Sequence, residues 1–134
     1  GLAASAQEAS EKRPHTPKLA FISGAKTYTA SSGKVVAKEA IDITARIMSM
    51  GKLHHAMTGT GAIAIAVAAA IPGTIVSLAL GGKSQSTVKF GHPSGTLAVG
   101  AEAEQNAGDW IITKALMSRS ARRLMTGEIW VPEL

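Results

Sequence analysis

From Ala62 to Ile71 the chain reads Ala-Ile-Ala-Ile-Ala-Val-Ala-Ala-Ala-Ile, without one polar side chain, and Pro72-Gly73 follows. The alternation of Ala with Ile and Val imitates a strand. Alanine density, and threonines at 58 and 60 that suit a helix start, favour a wholly buried helix instead. A helix apolar on every side must lie inside something, so the rest of the chain has to supply its cover. Ala62 to Leu80 carries no charge and approaches the length of a membrane span, but Pro72-Gly73 at its middle opposes that reading.

The flanking segments supply candidates for that cover. Residues 1–17 read as a frayed lead-in in which Ser5 to Lys12 makes two helical turns, stopped by Pro14 and Pro17. The start without methionine reads as the remainder of a longer chain. Lys18 to Ile22 reads as a short strand, followed by a polar loop through Gly33. Between Lys38 and Met50, Ile41, Ala45 and Met48 form one stripe, with Ile43, Ile47 and Met50 beside it. That spacing predicts a second helix, with Gly51 as its stop.

Residues 74–80 and 87–90 read as strands. Residues 96–103 alternate with Leu97, Val99, Ala101 and Ala103 on one side, Asn106 to Asp109 turns, and Trp110 to Met117 returns. Residues 121–126 and 128–131 suggest a last ribbon around Thr126-Gly127. The expected class is α+β, one domain with a curved, mostly antiparallel sheet around a central hydrophobic helix.

Composition removes several functions. A hydrophobic fraction of 46% argues against disorder, while aromatics at 4% leave the core to Ala, Ile, Val, Leu and Met. With no cysteine, the chain has no disulfide, thiolate metal site or thiol nucleophile. That absence fits the cytoplasm, and the opening residues lack the pattern of a signal peptide. A formal charge of +5 favours anionic partners, but the bases are scattered, with only Arg119, Arg122 and Arg123 clustered. Nucleic acid is therefore not an expected partner.

The strongest local signal is Met57-Thr58-Gly59-Thr60-Gly61 opening the apolar helix. The first amides of a helix lack partners and carry the positive end of its dipole. Two glycines let an anion approach that backbone, and two threonine hydroxyls add donors, which makes a carboxylate or phosphate cradle. A capped helix with glycines for tight packing explains the same residues equally well. It is not a Walker loop, because Lys is missing after the second Gly.

His54 and His55 precede the cradle, and at most one of two adjacent residues faces a common pocket. Their adjacency lacks the spacing of a metal pair on one helix face, so no metal is expected. His92, Ser94 and Gly95, in Gly91-His92-Pro93-Ser94-Gly95, read first as a turn, second as ligand contacts, and only distantly as a serine hydrolase site. Ser118-Arg119-Ser120-Ala121-Arg122-Arg123 could hold a substrate carboxylate through a guanidinium fork. Arg122 and Arg123, however, would face opposite sides of a strand, which fits exposed edge-strand arginines better than a shared pocket.

The stretch Arg46-Ile47-Met48-Ser49-Met50-Gly51-Lys52-Leu53-His54-His55-Ala56-Met57-Thr58-Gly59-Thr60-Gly61-Ala62 resembles the methylaconitate cis–trans isomerase (PrpF) family. Gly91 to Gly95, Met117 to Gly127, and the lead-in Thr16 to Phe21 do so as well. The resemblance implies a diaminopimelate epimerase-like fold in which two related domains each wrap a sheet around a helix. The active site would lie between them. Residues 18–134 would form the second domain, with the first absent and the isolated chain inactive.

Members of that family shift a proton or double bond in small unsaturated di- or tricarboxylates of the methylaconitate, methylitaconate or oxalomesaconate type, without cofactor or metal. In the epimerase relatives a cysteine begins the helix before Gly-Ser/Thr-Gly. Thr58 stands there in this chain, which excludes a two-thiol mechanism for this half. The resemblance implies that the main acid–base residues lie in the absent domain and that residues 58–61 form a carboxylate-binding helix end. Met57, His55, His92, Ser94 and Gly95 are pocket-side candidates, and no catalytic base is assigned. Expected partners are a polycarboxylate substrate and the missing domain or a second chain, with homo-oligomerisation through an uncovered apolar cleft. The rival reading is a non-catalytic anion-binding or partner-docking domain.

Overall fold

The computed structural model of the chain describes residues 3–132; the outermost residues of the expected 1–17 and 18–134 segments therefore lie outside the described residues. In chain order the elements are α1 (Ala6–Lys12), β1 (Leu19–Gly24), β2 (Tyr28–Thr29), β3 (Val35–Val36) and a 3-10 turn (Lys38–Ala40). There follow β4 (Ile43–Ser49), β5 (Lys52–Leu53), α2 (Gly59–Ala70), α3 (Ile75–Ala79), β6 (Thr87–His92), β7 (Gly95–Asn106) and β8 (Asp109–Met117). The expected α+β class is what the chain adopts.

The main sheet runs β1-β4-β6-β7-β8, with β5 paired to one end of β4. Every pairing in it is antiparallel except β4 with β6, where Ile43 lies opposite Phe90 and Thr44 opposite Gly91. Parallel neighbours require a crossover, and the connection here contains α2 and α3. Asp42 clamps the start of that pair, its amide donating to the Lys89 carbonyl at 2.7 Å and its carboxylate accepting from the Lys89 amide at 2.7 Å.

The core lies between α2 and the sheet: Ala62, Ile65, Ala66 and Ala69 meet Ile43, Ala45, Val88, Phe90, Val99 and Ala101. Phe90 is the largest fully buried side chain, and alanines fill the rest, which brings helix and sheet close together. A satellite cluster of Ala30, Val36 and Ile41 packs with Tyr28.

Several expectations are corrected. The predicted helix over 38–50 is a strand from Ile43, because Ile43, Ala45 and Ile47 are buried in strict alternation with half-buried neighbours. Those three residues fit a period of two as well as a helical stripe, and pairing on both sides decided between them. Gly51 is no helix stop. With Met50 at φ 55° and Gly51 at φ 73°, it forms a two-residue turn into β5.

The predicted strand over 74–80 is the short helix α3, because the Thr74 hydroxyl accepts from the Ser77 amide at 3.1 Å as an N-cap. The helix of 59–70 forms as expected but is not wholly buried: Ala64 is exposed, and Ile63, Val67 and Ala68 are half-buried. The sheet covers one side of it, and α3 only part of the other. The strand expected at 87–90 continues through His92, and Pro93-Ser94 make the turn that pairs His92 with Gly95.

The predicted ribbon over 121–131 does not form. A strand needs a partner for its amides and carbonyls, and residues 118–132 leave β8 without folding back, with Leu124, Met125, Ile129, Trp130 and Val131 all exposed. Among the described residues no helix is long and apolar enough to cross a membrane.

Candidate functional site

The β4–α2–β6 crossover brings the start of α2 beside the end of β6, and a cleft opens there. It has a volume of about 290 Å³ and is lined by Ala56, Met57, His92, Leu97, Met117 and Ser118 to Ser120.

Thr58 is the N-cap of α2. Its hydroxyl accepts from the Gly61 amide at 3.2 Å, and its carbonyl accepts from the Ala62 amide at 2.9 Å. The Gly59 and Thr60 amides are left without a helical acceptor, as the first turn of any helix requires. A side chain on Gly59 would collide with the Arg119 guanidinium, which lies over this helix end. Arg119 forms no ion pair among the described residues, where the salt bridges are Lys12–Glu8, Lys38–Glu39 and Lys114–Glu102. A full positive charge therefore sits on the positive end of a helix with no carboxylate between them.

Gly61 has a different role. A Cβ there would run into Ile47 Cδ1 and Thr58 Oγ1, so this glycine permits close packing of α2 on β4 and does not line the cleft.

His92 is buried, and its Nδ1 accepts from the Ser94 amide at 3.3 Å. Burial holds its pKa below the usual imidazole value of 6.5; the Thr96 backbone opposes the shift, and the charges of Arg46 and His54 add to it. An accepting Nδ1 fits a neutral ring. Its outer face closes the cleft opposite Met57 and Arg119.

The hairpin bearing His92 is held from outside the cleft. The Tyr28 hydroxyl shares its single proton between the carbonyls of His92, at 2.8 Å, and Gly95. Arg46 stacks on the Tyr28 ring at 4.9 Å and donates to the Gly91 carbonyl at 3.2 Å. The Ser94 hydroxyl donates to the His55 carbonyl, tying the hairpin to the loop before α2. That loop is itself pinned: the His54 amide donates to the Ile47 carbonyl at 2.8 Å, and His54 Nδ1 accepts from the Ala56 amide at 3.1 Å.

The residues singled out from sequence therefore separate into groups. Met57 and His92 line the cleft, with Gly59 beneath Arg119 at its edge. Thr58 caps the helix, and Thr60 is exposed on its first turn. Ser94 and Gly95 brace the hairpin through a hydroxyl and a carbonyl. His55 is exposed and stacked on His54, with ring centroids 4.9 Å apart. Arg122 and Arg123 lie exposed in the tail.

Of the arginines in Ser118 to Arg123, a stretch that the sequence offers as a carboxylate fork, only Arg119 lines the cleft. Sequence reasoning assigned Tyr28 no role. Nothing local marks Tyr28, since the carbonyls it holds are 64 and 67 positions away.

Residues 1–132 match the sequence profile of the family described as PrpF protein. A 2-methyl-aconitate isomerase of Cupriavidus necator is 60% identical over 132 residues, covering 98% of this chain and 33% of that protein. The same-named enzyme of Shewanella oneidensis is 60% identical over 121 residues, covering 90% and 30%. A 3-methylitaconate isomerase of Eubacterium barkeri is 37% identical over 133 residues, covering 98% and 34%. The crystal structure of a methylitaconate-delta-isomerase superposes with a TM-score of 0.70 at 34% identity, covering 89% of this chain and 32% of that one. The chain thus spans about a third of the length of the relatives it matches. A match over nearly all of its residues, joined to these identities, shows that the chain belongs to the PrpF family.

Proposed function

We propose that this chain supplies the carboxylate-holding part of a cofactor-independent isomerase that shifts a proton or double bond within small unsaturated di- or tricarboxylates. The observation that carries this reading is the Arg119 guanidinium over Gly59, at a helix end whose first amides have no helical acceptor. A guanidinium and backbone amides aimed at one spot form a charge-assisted fork for a carboxylate. The names of the similar proteins support the substrate class: two act on 2-methyl-aconitate and one on 3-methylitaconate.

In this reading a proton leaves the allylic carbon next to a carboxylate, and the electron pair spreads into that carboxylate as a dienolate. Reprotonation at the far end of the allyl unit completes the shift. Arg119 and the Gly59 and Thr60 amides stabilise the charge where it accumulates. His92, neutral and hydrogen-bonded through Nδ1, shapes the opposite wall. No residue of this chain is assigned as the base; the proton-moving groups come from another domain or chain.

The test is a titration of the chain with cis-aconitate in heavy water, followed by NMR. The reading expects saturable shifts at the Gly59 and Thr60 amides that Arg119→Gln weakens about tenfold, the scale of one charge-assisted hydrogen bond. Shifts that ignore these amides, or an Arg119→Gln chain that binds equally well, would overturn it. Deuterium entering the substrate would place a complete site in this chain and refute the assignment of the base elsewhere.

A further inference from the structure

Tyr28 stands on a two-residue strand of a small side sheet, far in sequence from the cleft, yet its hydroxyl is committed to the cleft hairpin. Its one proton is shared between carbonyls 64 and 67 residues away, those of His92 and Gly95, which are the two residues paired across the Pro93-Ser94 turn. Its ring lies against Gly91 so closely that a Cβ on Gly91 would approach Tyr28 Cε1 to 2.7 Å. Arg46 lies over the ring and holds the Gly91 carbonyl. The hydroxyl therefore ties both strands of the hairpin at the place where the chain reverses.

The same turn sets the chemistry of His92. Its Nδ1 accepts from the Ser94 amide only while the turn keeps that amide pointed inward. A two-residue turn has little freedom, so a shift at either flanking carbonyl is passed to the Ser94 amide. We propose that Tyr28 is a positioning residue: by fixing the His92 and Gly95 carbonyls it holds the His92 imidazole against the cleft as a single Nε2–H tautomer.

The charged groups near that ring are Arg46 on β4 and His54 in the loop before α2, while the Thr96 backbone approaches from β7. The phenol suits the role, because burial pushes its pKa above the ordinary value, and the opposing influence of Arg46 does not cancel that. It stays a donor throughout the neutral range. The consequence for ligand binding rests on the carboxylate reading given above; the consequence for the tautomer does not.

The experiment uses the full chain labelled with 15N at histidine and records long-range proton–nitrogen correlations of the His92 ring near neutral pH. The unmodified chain is expected to show one tautomer, protonated at Nε2. An even mixture there overturns the proposal before any variant is made. Tyr28→Phe keeps the ring and the Arg46 stack and removes only the hydroxyl. It is expected to give a mixture of tautomers, a shifted Ser94 amide, and tricarballylate binding weaker by about two- to tenfold, the scale of one lost hydrogen bond. A folded Tyr28→Phe chain whose melting temperature drops while His92 keeps one tautomer would make Tyr28 merely structural and refute the proposal. Failure of the unmodified chain to respond to tricarballylate would instead count against the carboxylate reading, and the tautomer measurement would still judge Tyr28.

Discussion

Two glycines of one motif, two positions apart on α2, have separate physical reasons. At Gly61 a methyl group meets Ile47, itself buried, and the capping hydroxyl of Thr58. Gly61→Ala is expected to destabilise the chain by about 1–2 kcal/mol, the cost of overpacking reduced by alanine's better helix propensity. At Gly59 the obstacle is the far end of the Arg119 side chain, which can swing away. Gly59→Ala should leave the denaturation midpoint in place and weaken carboxylate binding. Chemical denaturation combined with a ligand titration of both variants checks the pair, and identical behaviour of the two would refute the distinction.

His92 adds a pH dependence at the same scale. Its folded pKa lies below the unfolded value of 6.5, chiefly through burial. Above about pH 6.5 both states are neutral and the full stability is present; as pH falls through 6.5 the unfolded chain takes up the proton first, and stability declines until the folded pKa is passed. Thermal melts between pH 7.5 and about pH 5 should therefore show a decline that His92→Gln reduces.

At the level of elements, two of the three two-residue hairpin turns show how local chemistry is overruled. Both Met50-Gly51 and Ala107-Gly108 place a non-glycine residue at positive φ, 55° and 51° respectively. A two-residue turn of this hand prefers Asn-Gly, which tolerates that region better. Ala107→Asn is expected to raise stability by about 0.5–1 kcal/mol, read as a higher melting temperature. A lower one would show that the β7–β8 ribbon does not depend on its turn.

The element assignments that sequence supported were those with one dominant period or an unambiguous cap. The helix from Gly59, the Leu97–Ala103 alternation and the turn at 106–109 are of this kind. β4 and α3 were misread because short apolar runs satisfy both periods. Their identity came from contacts: β4 found partners on both sides, and α3 found a cap in the Thr74 hydroxyl.

For the molecule as a whole, the uneven distribution of apolar surface matters most. Leu124, Met125, Ile129, Trp130 and Val131 are between 79% and 92% exposed, in a segment without regular structure. A chain ending at Ser120 should melt within about 2 °C of the full chain, since these side chains bury almost nothing. The same truncation should reduce any concentration-dependent shift in size-exclusion elution. A drop of about 5 °C or more would show that the tail packs against the folded part.

The identity of α2, the class of the fold and the threonine cap of that helix follow from residue chemistry alone. An apolar, alanine-rich run with a threonine cap has few other ways to hide its side chains and satisfy its amides. The placement of Arg119 over Gly59, the bracing of His92 by Tyr28 and the division of labour between Gly59 and Gly61 depend on contacts between distant segments. Those contacts exist only because one parallel pairing, β4 with β6, forces the chain to cross over and return. Strand pairing and close packing chose the partners, and no local pattern encodes a partner 60 residues away.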